Sequence, residues 1–509
     1  MKVNQLKAGA VLSYVILGLS NVVGLLYTPY MLRMMGQSEF GLYSLVGSVV
    51  AYLTILDLGF GNAIIRYTAK FRAEGKTDEQ YSMFGMFIVL YSFIALLALA
   101  AGLALYFNVE AIFGSAMSTD ELGKARILML LMVFNLVFTF PFSIFGSIIS
   151  AYEDFIFQKV VQIVRIVLNT LLMVLLLKFG YRAIGMVVLI TIFNVASQLI
   201  NFWYCKYRIK VKFYFHKFKW GFLREVAMYS FYIFLNAIID KIYWSTGQVV
   251  LGAFVSTAAV AVFAVGIQLE NMYMNFSTAI SGVFLPRVTA MTTYEQSNKA
   301  ISDLFIRTGR IQYIIMAFIL TGFIVFGKQF VILWAGPNYS DVYTISLLFF
   351  IPLTVPLIQN LGITILQARN NVRFRALLYI VIAILSLGLQ LLVVKKYGGI
   401  GCAAAICIAI VIGHIIVMNI YYYKKQSIDI PKFWKEIGKM SFTPLILGCG
   451  AYFLMSLLNV HTILTLALSI ILFSLIYLPV FWYIGMNESE RELMNKPLNR
   501  VLKIVKIRR

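Results

Sequence analysis

Charged residues are scarce in this chain of 509 residues. They make up 13% of the sequence, against 61% hydrophobic residues, and the mean hydropathy is +0.86. Because soluble domains carry about 25% charged and about 45–50% apolar residues, this composition excludes an ordinary soluble protein. Apolar runs long enough to cross a bilayer recur from end to end, and no long polar region remains for a soluble domain. The chain is therefore predicted to be an integral membrane protein throughout.

The residues of metal and nucleotide sites are also few. The 4 cysteines lack CxxC spacing and the 3 histidines lie far apart, so neither a disulfide framework nor a metal centre is expected. Gly75–Thr77 and Gly322–Lys328 match a P-loop only in part, and neither follows a strand. An ATP-driven pump or a metalloenzyme is thus disfavoured, and no cofactor is expected. A polymerising or ligating membrane enzyme remains an alternative, although no predicted loop is long.

The spacing of the apolar runs predicts about fourteen transmembrane helices. They lie at about 8–32, 40–64, 81–107, 127–150, 156–177, 183–204, 226–254, 258–285, 311–334, 342–366, 376–394, 399–423, 440–458 and 462–485. The first run is too long for a signal peptide. With a cytoplasmic N-terminus, most of the 43 Lys and Arg residues fall in cytoplasmic segments. This positive-inside pattern predicts that both termini are cytoplasmic, and it explains the net charge of +22 without nucleic acid. For the most basic loop, Cys205–Trp220, a pure topology signal is the favoured interpretation, and contact with anionic lipid headgroups is the alternative.

Short motifs recur at a separation of about 215–221 residues. Phe157 recurs as Phe374, and Lys178–Gly180 recurs as Lys396–Gly398. Several such matches occur in the same order, which indicates that spans one to six are duplicated as spans seven to twelve. An even number of spans gives both copies the same orientation, and a cavity is expected between them. The predicted fold is an all-α polytopic membrane protein with two pseudo-symmetric six-helix bundles (1–220 and 221–425), followed by two extra helices and a basic cytoplasmic tail (426–509).

Polar side chains form stripes along several predicted spans, because residues three, four or seven apart share one helix face. By span, they are Asn21 in span one, Asp57 in span two, Gln158, Gln162, Arg165 and Asn169 in span five, Asn194, Gln198 and Asn201 in span six, Asn236, Asp240, Lys241, Trp244 and Gln248 in span seven, and Glu270 in span eight. For the Asn and Gln positions, helix–helix hydrogen bonding explains the pattern as well as a cavity does. His414 is isolated and is interpreted as a structural histidine.

Two basic residues, Arg165 and Lys241, lie inside predicted spans. A charge at the bilayer centre costs about 2.5–3.5 kcal/mol on insertion scales. Neither residue has an acidic neighbour three or four positions away that would neutralise it on its own helix. Both are therefore predicted to face a cavity.

Three segments carry a resemblance to a known transporter family. Leu56–Lys76 (LDLGFGNAIIRYTAKFRAEGK) resembles the end of span two in polysaccharide and O-antigen flippases. Thr28–Val46 looks like their first external loop, and Phe284–Met291 (FLPRVTAM) is similar to their end of span eight. The chain thus resembles, over essentially its whole length, the multidrug/oligosaccharidyl-lipid/polysaccharide exporter superfamily. Many relatives carry an Asp in span seven where this chain has Gln248, so the coupling role of that acid is not transferred.

The resemblance implies a flippase, not an enzyme, which moves undecaprenyl-pyrophosphate-linked oligosaccharide from the inner to the outer leaflet of the bacterial cytoplasmic membrane by alternating access. Predicted substrate-binding residues are Arg165 and Lys241 for the pyrophosphate, Asn21, Asn236, Gln162, Asn169 and Gln248 for sugar hydroxyls, and Trp244 for stacking on a sugar ring. Asp240, Glu270 and Asp57 are the predicted candidates for proton or sodium coupling. A monomer is expected, with a polysaccharide polymerase and glycosyltransferases as pathway partners. A cation-coupled multidrug exporter of the same superfamily and a lipid II flippase are the alternatives.

Overall fold

The structure is a computed structural model that describes residues 5–215, 220–281, 288, 290–291, 297–369, 371–457 and 461–492. In these ranges every regular element is helical. The helices group into two compact units, one formed by Met1–Val265 with Ala383–Cys402 and the other by Gly266–Ile382 with Ala403–Arg509. The sequence-based boundaries at residues 220 and 425 mark the two predicted copies of an internal repeat, not the compact units described here, and they remain a prediction.

The helices that begin in the first unit are α1 (Gln5–Met35), α2 (Gln37–Leu53), α3 (Phe60–Ala73), α4 (Thr77–Phe113), α5 (Thr119–Ala151), α6 (Phe155–Lys178), α7 (Ala183–Tyr204), α8 (Trp220–Trp244), α9 (Thr246–Phe254) and α10 (Thr257–Ser281). The helices that begin in the second unit are α11 (Asn298–Ala335), α12 (Asp341–Ile358), α13 (Leu361–Ala368), α14 (Arg373–Ile410), α15 (Met418–Lys424), α16 (Ile430–Leu457) and α17 (Ile463–Val480). α10 and α14 contribute residues to both units.

Twelve helical segments of the described residues are long and apolar enough to cross a membrane. One of them, Arg373–Lys424, contains two predicted spans and is interrupted at Gly398. In α17, Leu464 and Leu475 are 70% and 67% exposed, and only a lipid environment makes such a surface favourable. The chain is therefore a multi-pass, all-α membrane protein. The exact count of fourteen and the arrangement in two six-helix bundles remain predictions.

The helix ends follow local sequence signals. Before α5, the Ser118 side chain accepts from the Glu121 amide and the Glu121 carboxylate accepts from the Ser118 amide, which completes a capping box. Gly36 separates α1 from α2 with φ 80°, a conformation that glycine adopts without a steric penalty. The long apolar sequences between such signals have no other way to satisfy their backbone groups in lipid than to form helices.

Equivalent local structures recur at the spacing of the sequence repeat. Phe157 stacks on Tyr204 in the first unit, with ring centroids 3.8 Å apart. Phe374 stacks on Tyr421 in the second unit, with centroids 4.1 Å apart. Both pairs link corresponding helices at the same residue separation, and this recurrence supports the predicted duplication.

The second predicted span is broken immediately after Asp57. A 3₁₀ turn, Thr54–Asp57, follows α2, and Leu58 (φ 52°) and Gly59 (φ 71°) then adopt the left-handed conformation. Two successive left-handed residues cannot continue a right-handed helix, so the chain kinks before α3 begins.

α2 approaches the start of α10 so closely that position 41 requires glycine. A Cβ at Gly41 would overlap the carbonyl oxygen of Thr257 and lie 3.2 Å from the amide nitrogen of Ala261. We expect Gly41→Ala to lower the free energy of unfolding by about 1–3 kcal/mol, because the backbones must separate. On the same helix, Gly47 has no atom within 4 Å of its added Cβ, so Gly47→Ala should be neutral or stabilising by up to about 1 kcal/mol. Chemical unfolding in detergent measures the difference, and equal effects of the two variants would contradict the close approach.

Candidate functional site

A polar cavity of about 530 Å³ lies along α6 in the first unit. Its lining consists of Ser20 from α1, Gln158, Lys159, Val161, Gln162, Arg165 and Ile166 from α6, and Ser197 and Asn201 from α7. α6 presents Gln158, Gln162 and Arg165 together because positions four and seven residues apart share one helix face. Three of the four residues of the predicted stripe of span five therefore face a cavity.

The guanidinium group of Arg165 is held in place by a chain of side-chain hydrogen bonds through Asn194. Arg165 is half-buried, and its Nη1 donates to Asn194 Oδ1 on α7 at 3.3 Å. Asn194 Nδ2 donates in turn to Asn135 Oδ1 (2.5 Å) and Thr139 Oγ1 (2.6 Å) on α5. Because Asn194 has both partners on α5, its carbonyl oxygen is oriented towards Arg165. Three helices thus fix the position of one cation.

The positive charge of Arg165 is not neutralised by a carboxylate in the described part of the chain. None of the ion pairs found there includes Arg165. Lys159 adds a second cation to the lining of the same cavity. A guanidinium with free donors suits the paired oxygens of a phosphate or carboxylate. The charge of the cavity lining therefore suits an anion.

The other polar groups of the lining differ in how freely they can bind a ligand. Asn201 Oδ1 is buried without a hydrogen-bond partner among the described residues, and Gln162 is exposed. The Ser197 hydroxyl donates to the Phe193 carbonyl at 2.8 Å, which leaves its oxygen as an acceptor. Both ends of the Gln158 amide are occupied, since it donates to Gly146 O and accepts from Ser150 Oγ. Gln158 therefore shapes the wall, whereas the other groups remain available to hydroxyls.

Two further residues of the predicted stripes lie near this cavity but outside its lining. Asn21 is half-buried on α1, next to the lining residue Ser20. Asn169 lies one turn beyond Arg165 on α6, and its Oδ1 is buried with no hydrogen-bond partner in the described ranges. Their predicted roles in binding remain predictions.

The stripe of span seven does not reach the Arg165 cavity. Lys241 and Trp244 are half-buried and Asp240 is exposed, but none of the three lines the cavity. Gln248 is buried on α9 and accepts a hydrogen bond from Ser48 Oγ at 2.7 Å. This contact joins α9 to α2. For Gln248 the structure therefore shows helix–helix hydrogen bonding, the alternative to a cavity-facing position. The side chain of Asn236 lies outside the described residues.

The remaining coupling candidates occupy different environments. Asp57 is half-buried at the helix break, where it lies beside the buried Tyr91 of α4. Glu270 is fully buried on α10 in a part of the helix that belongs to the second unit. His414 stacks on the Tyr379 ring with centroids 4.1 Å apart, which accords with a structural histidine.

Sequence reasoning missed several residues that build the site. Ser20 and Lys159 line the cavity, and Asn135 and Thr139 orient Asn194. One usable signal was present, because Asn135 and Thr139 are four residues apart in span four and share a face. For Lys159, the spacing of residues in the sequence does not show whether the side chain lines a cavity or lies at the membrane surface.

Residues 6–292 match the family model described as "Polysaccharide biosynthesis protein". No curated protein matches the chain. Among solved structures, the chain is similar to "Lipid II flippase MurJ, inward closed conformation", with TM-score 0.70 and 17% identity over 93% of this chain and 98% of that one.

Two further solved structures share the fold at lower similarity. A MOP superfamily transporter from Pyrococcus furiosus, whose binding pocket is described as having reverse polarity, matches with TM-score 0.58 and 13% identity over 84% of this chain and 96% of that one. An inward-facing multidrug resistance MATE transporter of the same superfamily matches with TM-score 0.53 and 14% identity over 81% of this chain and 99% of that one. At these identities the similarity shows the fold alone.

Proposed function

Because this chain belongs to the polysaccharide biosynthesis protein family, we propose that it is a flippase of the MOP superfamily, which moves undecaprenyl-pyrophosphate-linked oligosaccharide from the inner to the outer leaflet of a bacterial cytoplasmic membrane. The supporting observation is that the guanidinium group of Arg165 lies on the wall of a polar cavity and has no carboxylate partner among the described residues. Both termini are cytoplasmic in this proposal, in agreement with the positive-inside pattern.

The chemistry of the cargo requires such a site. A hydrated sugar on a charged linker cannot cross about 30 Å of hydrocarbon without protein, because its polar groups would lose their hydrogen bonds to water. Arg165 and Lys159 attract the pyrophosphate, while Gln162, Ser197 and Asn201 exchange hydrogen bonds with sugar hydroxyls. A volume of about 530 Å³ is in the usual range of ligand pockets and holds the linker with part of the glycan. The polyprenyl chain stays in lipid.

Span seven has a separate part in the proposal. Lys241 and Trp244 are half-buried and Asp240 is exposed. In this proposal their side chains contact the glycan outside the Arg165 cavity. The protein acts as a monomer and receives its cargo from glycosyltransferases, and a polymerase uses the flipped product. A cationic drug is a poor cargo, because Arg165 and Lys159 would repel it.

A vesicle assay tests the proposal. The purified protein is reconstituted into liposomes that carry a fluorescent undecaprenyl-pyrophosphate-linked oligosaccharide, and a membrane-impermeant glycosidase measures the glycan exposed outside. We expect cleavage to go to completion only in vesicles that contain the protein. Lipid II and a cationic dye serve as parallel cargoes. Faster transport of lipid II would assign the protein to the lipid II alternative, and transport of the dye alone would reject the proposal.

A further inference from the structure

A strongly basic segment follows α7 in the first unit. Residues 205–215 contain four basic residues and no acidic residue. All four are exposed, and we call them the basic surface: Lys206, Arg208, Lys210 and Lys212. The 22 residues of α7 are just enough to cross about 30 Å of hydrocarbon. The segment that follows therefore lies at the boundary between the hydrocarbon and the lipid headgroups.

The backbone of this segment is fixed by contacts with the first unit. A π-helical turn, Cys205–Ile209, continues α7, and Lys210 then adopts the left-handed conformation with φ 60°. The Tyr214 amide donates to the Tyr81 carbonyl of α4 at 3.1 Å. A Cβ at Gly85 of α4 would overlap the Tyr214 carbonyl oxygen, so the two backbones are in direct contact. The basic surface is thus presented in a defined conformation.

Apolar and basic side chains alternate along the segment. Three apolar side chains pack on the core of the first unit, and they are Ile209, Val211 and Phe213. The Phe213 ring meets the rings of Phe84 and Phe145, with centroids 6.2 and 5.8 Å apart. Successive residues of an extended backbone point to opposite sides. Packing of the apolar set therefore turns the basic residues between them outward.

Three exposed aromatic side chains flank the basic surface. Trp203, Tyr207 and Phe215 are 62%, 68% and 59% exposed. Trp203 and Tyr207 share a helix face with Lys206, because positions three and four residues apart are neighbours. Lys206 Nζ lies 5.6 Å from the centroid of the Tyr207 ring. Tryptophan and tyrosine rings favour the interface between membrane and water, where the long side chains of lysine and arginine reach the headgroups.

The protein itself compensates little of this positive charge. None of the ion pairs found among the described residues includes a cation of the basic surface. Arg208 lies beside the Tyr204 hydroxyl, which donates to Asp154 Oδ2 at 3.1 Å, so Asp154 offsets part of one charge. Cations held at the level of the headgroups attract anionic lipids.

We infer that the basic surface binds the headgroups of anionic phospholipids, with Trp203, Tyr207 and Phe215 embedded in the interface around them. A topology signal needs only the charges, because it acts while the chain is inserted. It requires neither apolar residues that fix the backbone nor exposed aromatic residues beside the cations. The structure therefore favours lipid contact for this loop. The inference does not depend on the cargo.

Tryptophan quenching by brominated lipids tests the inference on the full-length protein. The protein is reconstituted into vesicles of phosphatidylcholine and phosphatidylglycerol, and one of the two lipids carries bromine on its acyl chains. The signal of Trp203 is the difference between wild type and Trp203→Phe. Quenching at several lipid ratios should show that phosphatidylglycerol associates there about fivefold more strongly than phosphatidylcholine. Salt at about 1 M should remove most of this preference, because it shortens the Debye length to about 3 Å.

Two variants that each lose four positive charges separate the basic surface from overall charge. The first combines Lys206→Gln, Arg208→Gln, Lys210→Gln and Lys212→Gln. The second is the matched control and combines four exposed cations outside the segment, Lys178→Gln, Arg182→Gln, Lys395→Gln and Lys396→Gln. The preference for phosphatidylglycerol should fall to about one in the first variant and stay unchanged in the control. Circular dichroism checks that both variants fold.

Equal association of the two lipids with the wild type, or an unchanged preference in the first variant, would overturn the inference. If the wild type shows no lipid preference and the first variant loses a co-purifying acidic protein, the surface binds a protein and the inference is also wrong. The vesicles contain no oligosaccharide. Failure of the proposed transport function would therefore leave the outcome of this experiment unaffected.

Discussion

Replacement of Arg165 by alanine should weaken binding of the lipid-linked oligosaccharide by about 10- to 100-fold and reduce flipping in vesicles accordingly. A hydrogen bond to a charged group contributes about 1.5–3 kcal/mol, and each 1.4 kcal/mol is a factor of about ten in affinity. The lost interaction is the one with the pyrophosphate, because the guanidinium lines the cavity without a carboxylate partner in the described part of the protein. Binding of a fluorescent polyprenyl pyrophosphate to the purified protein measures this contribution without the glycan.

Three further variants test the geometry behind this prediction. Arg165→Lys keeps the charge but loses the planar fork, so binding should fall less than in Arg165→Ala. Asn194→Ala removes the group that orients Arg165 and should give an intermediate loss. Arg182→Ala removes an exposed arginine at the start of α7 and should leave binding unchanged. Equal binding by wild type and Arg165→Ala, with both proteins folded, would rule out an anion site in this cavity.

Replacement of Arg310 by alanine should lower the free energy of unfolding by about 3–5 kcal/mol, the usual cost of leaving a buried carboxylate, here that of Glu490, without its partner. The side chain of Arg310 on α11 is 7% exposed and contacts two carboxylates at once. Its Nε and Nη2 donate to Glu490 at 2.6 and 3.0 Å, and its Nη1 donates to Glu436 at 2.9 Å. These bonds join α16 and the segment after α17 to α11, so their loss should loosen both from α11.

An exposed ion pair between the same two helices is the control for this prediction. Lys432 on α16 contacts Asp303 on α11 at 2.8 Å, with both side chains about half exposed. Because solvent screens such pairs, Lys432→Ala should change the free energy of unfolding by less than about 1 kcal/mol. Chemical unfolding in detergent, followed by tryptophan fluorescence, compares the two variants. Similar losses would mean that burial does not strengthen the Arg310 contacts.

Part of the site could be predicted from the sequence because helix periodicity assigns residues to a face. The stripe of Gln158, Gln162 and Arg165 required only the period of the helix, and the structure places all three on one cavity wall. The same argument could not separate Arg165 from Lys241. Both are basic residues inside apolar runs, but only Arg165 lines the described cavity. Which neighbour covers a polar face depends on contacts between distant segments.

Gln248 and Glu270 show this dependence most clearly. The sequence places Gln248 on a polar stripe, and only the packing of α9 on α2 supplies Ser48 as its partner. Glu270 belongs to a similar stripe, but neither of its carboxyl oxygens has a hydrogen-bond partner among the described residues. A polar residue in a membrane helix must find a partner, a cavity or a proton, and the sequence does not reveal which of these it finds.

The amino-acid sequence by itself determined that the chain is a multi-pass, all-α membrane protein, because hydrophobic length and periodicity are local properties of the chain. The tertiary structure decided that Arg165 is oriented by Asn194 at a polar cavity and that Arg310 binds α16 and the segment after α17. These features depend on residues that are far apart in the chain, and their side chains come within hydrogen-bond distance only when the helices pack.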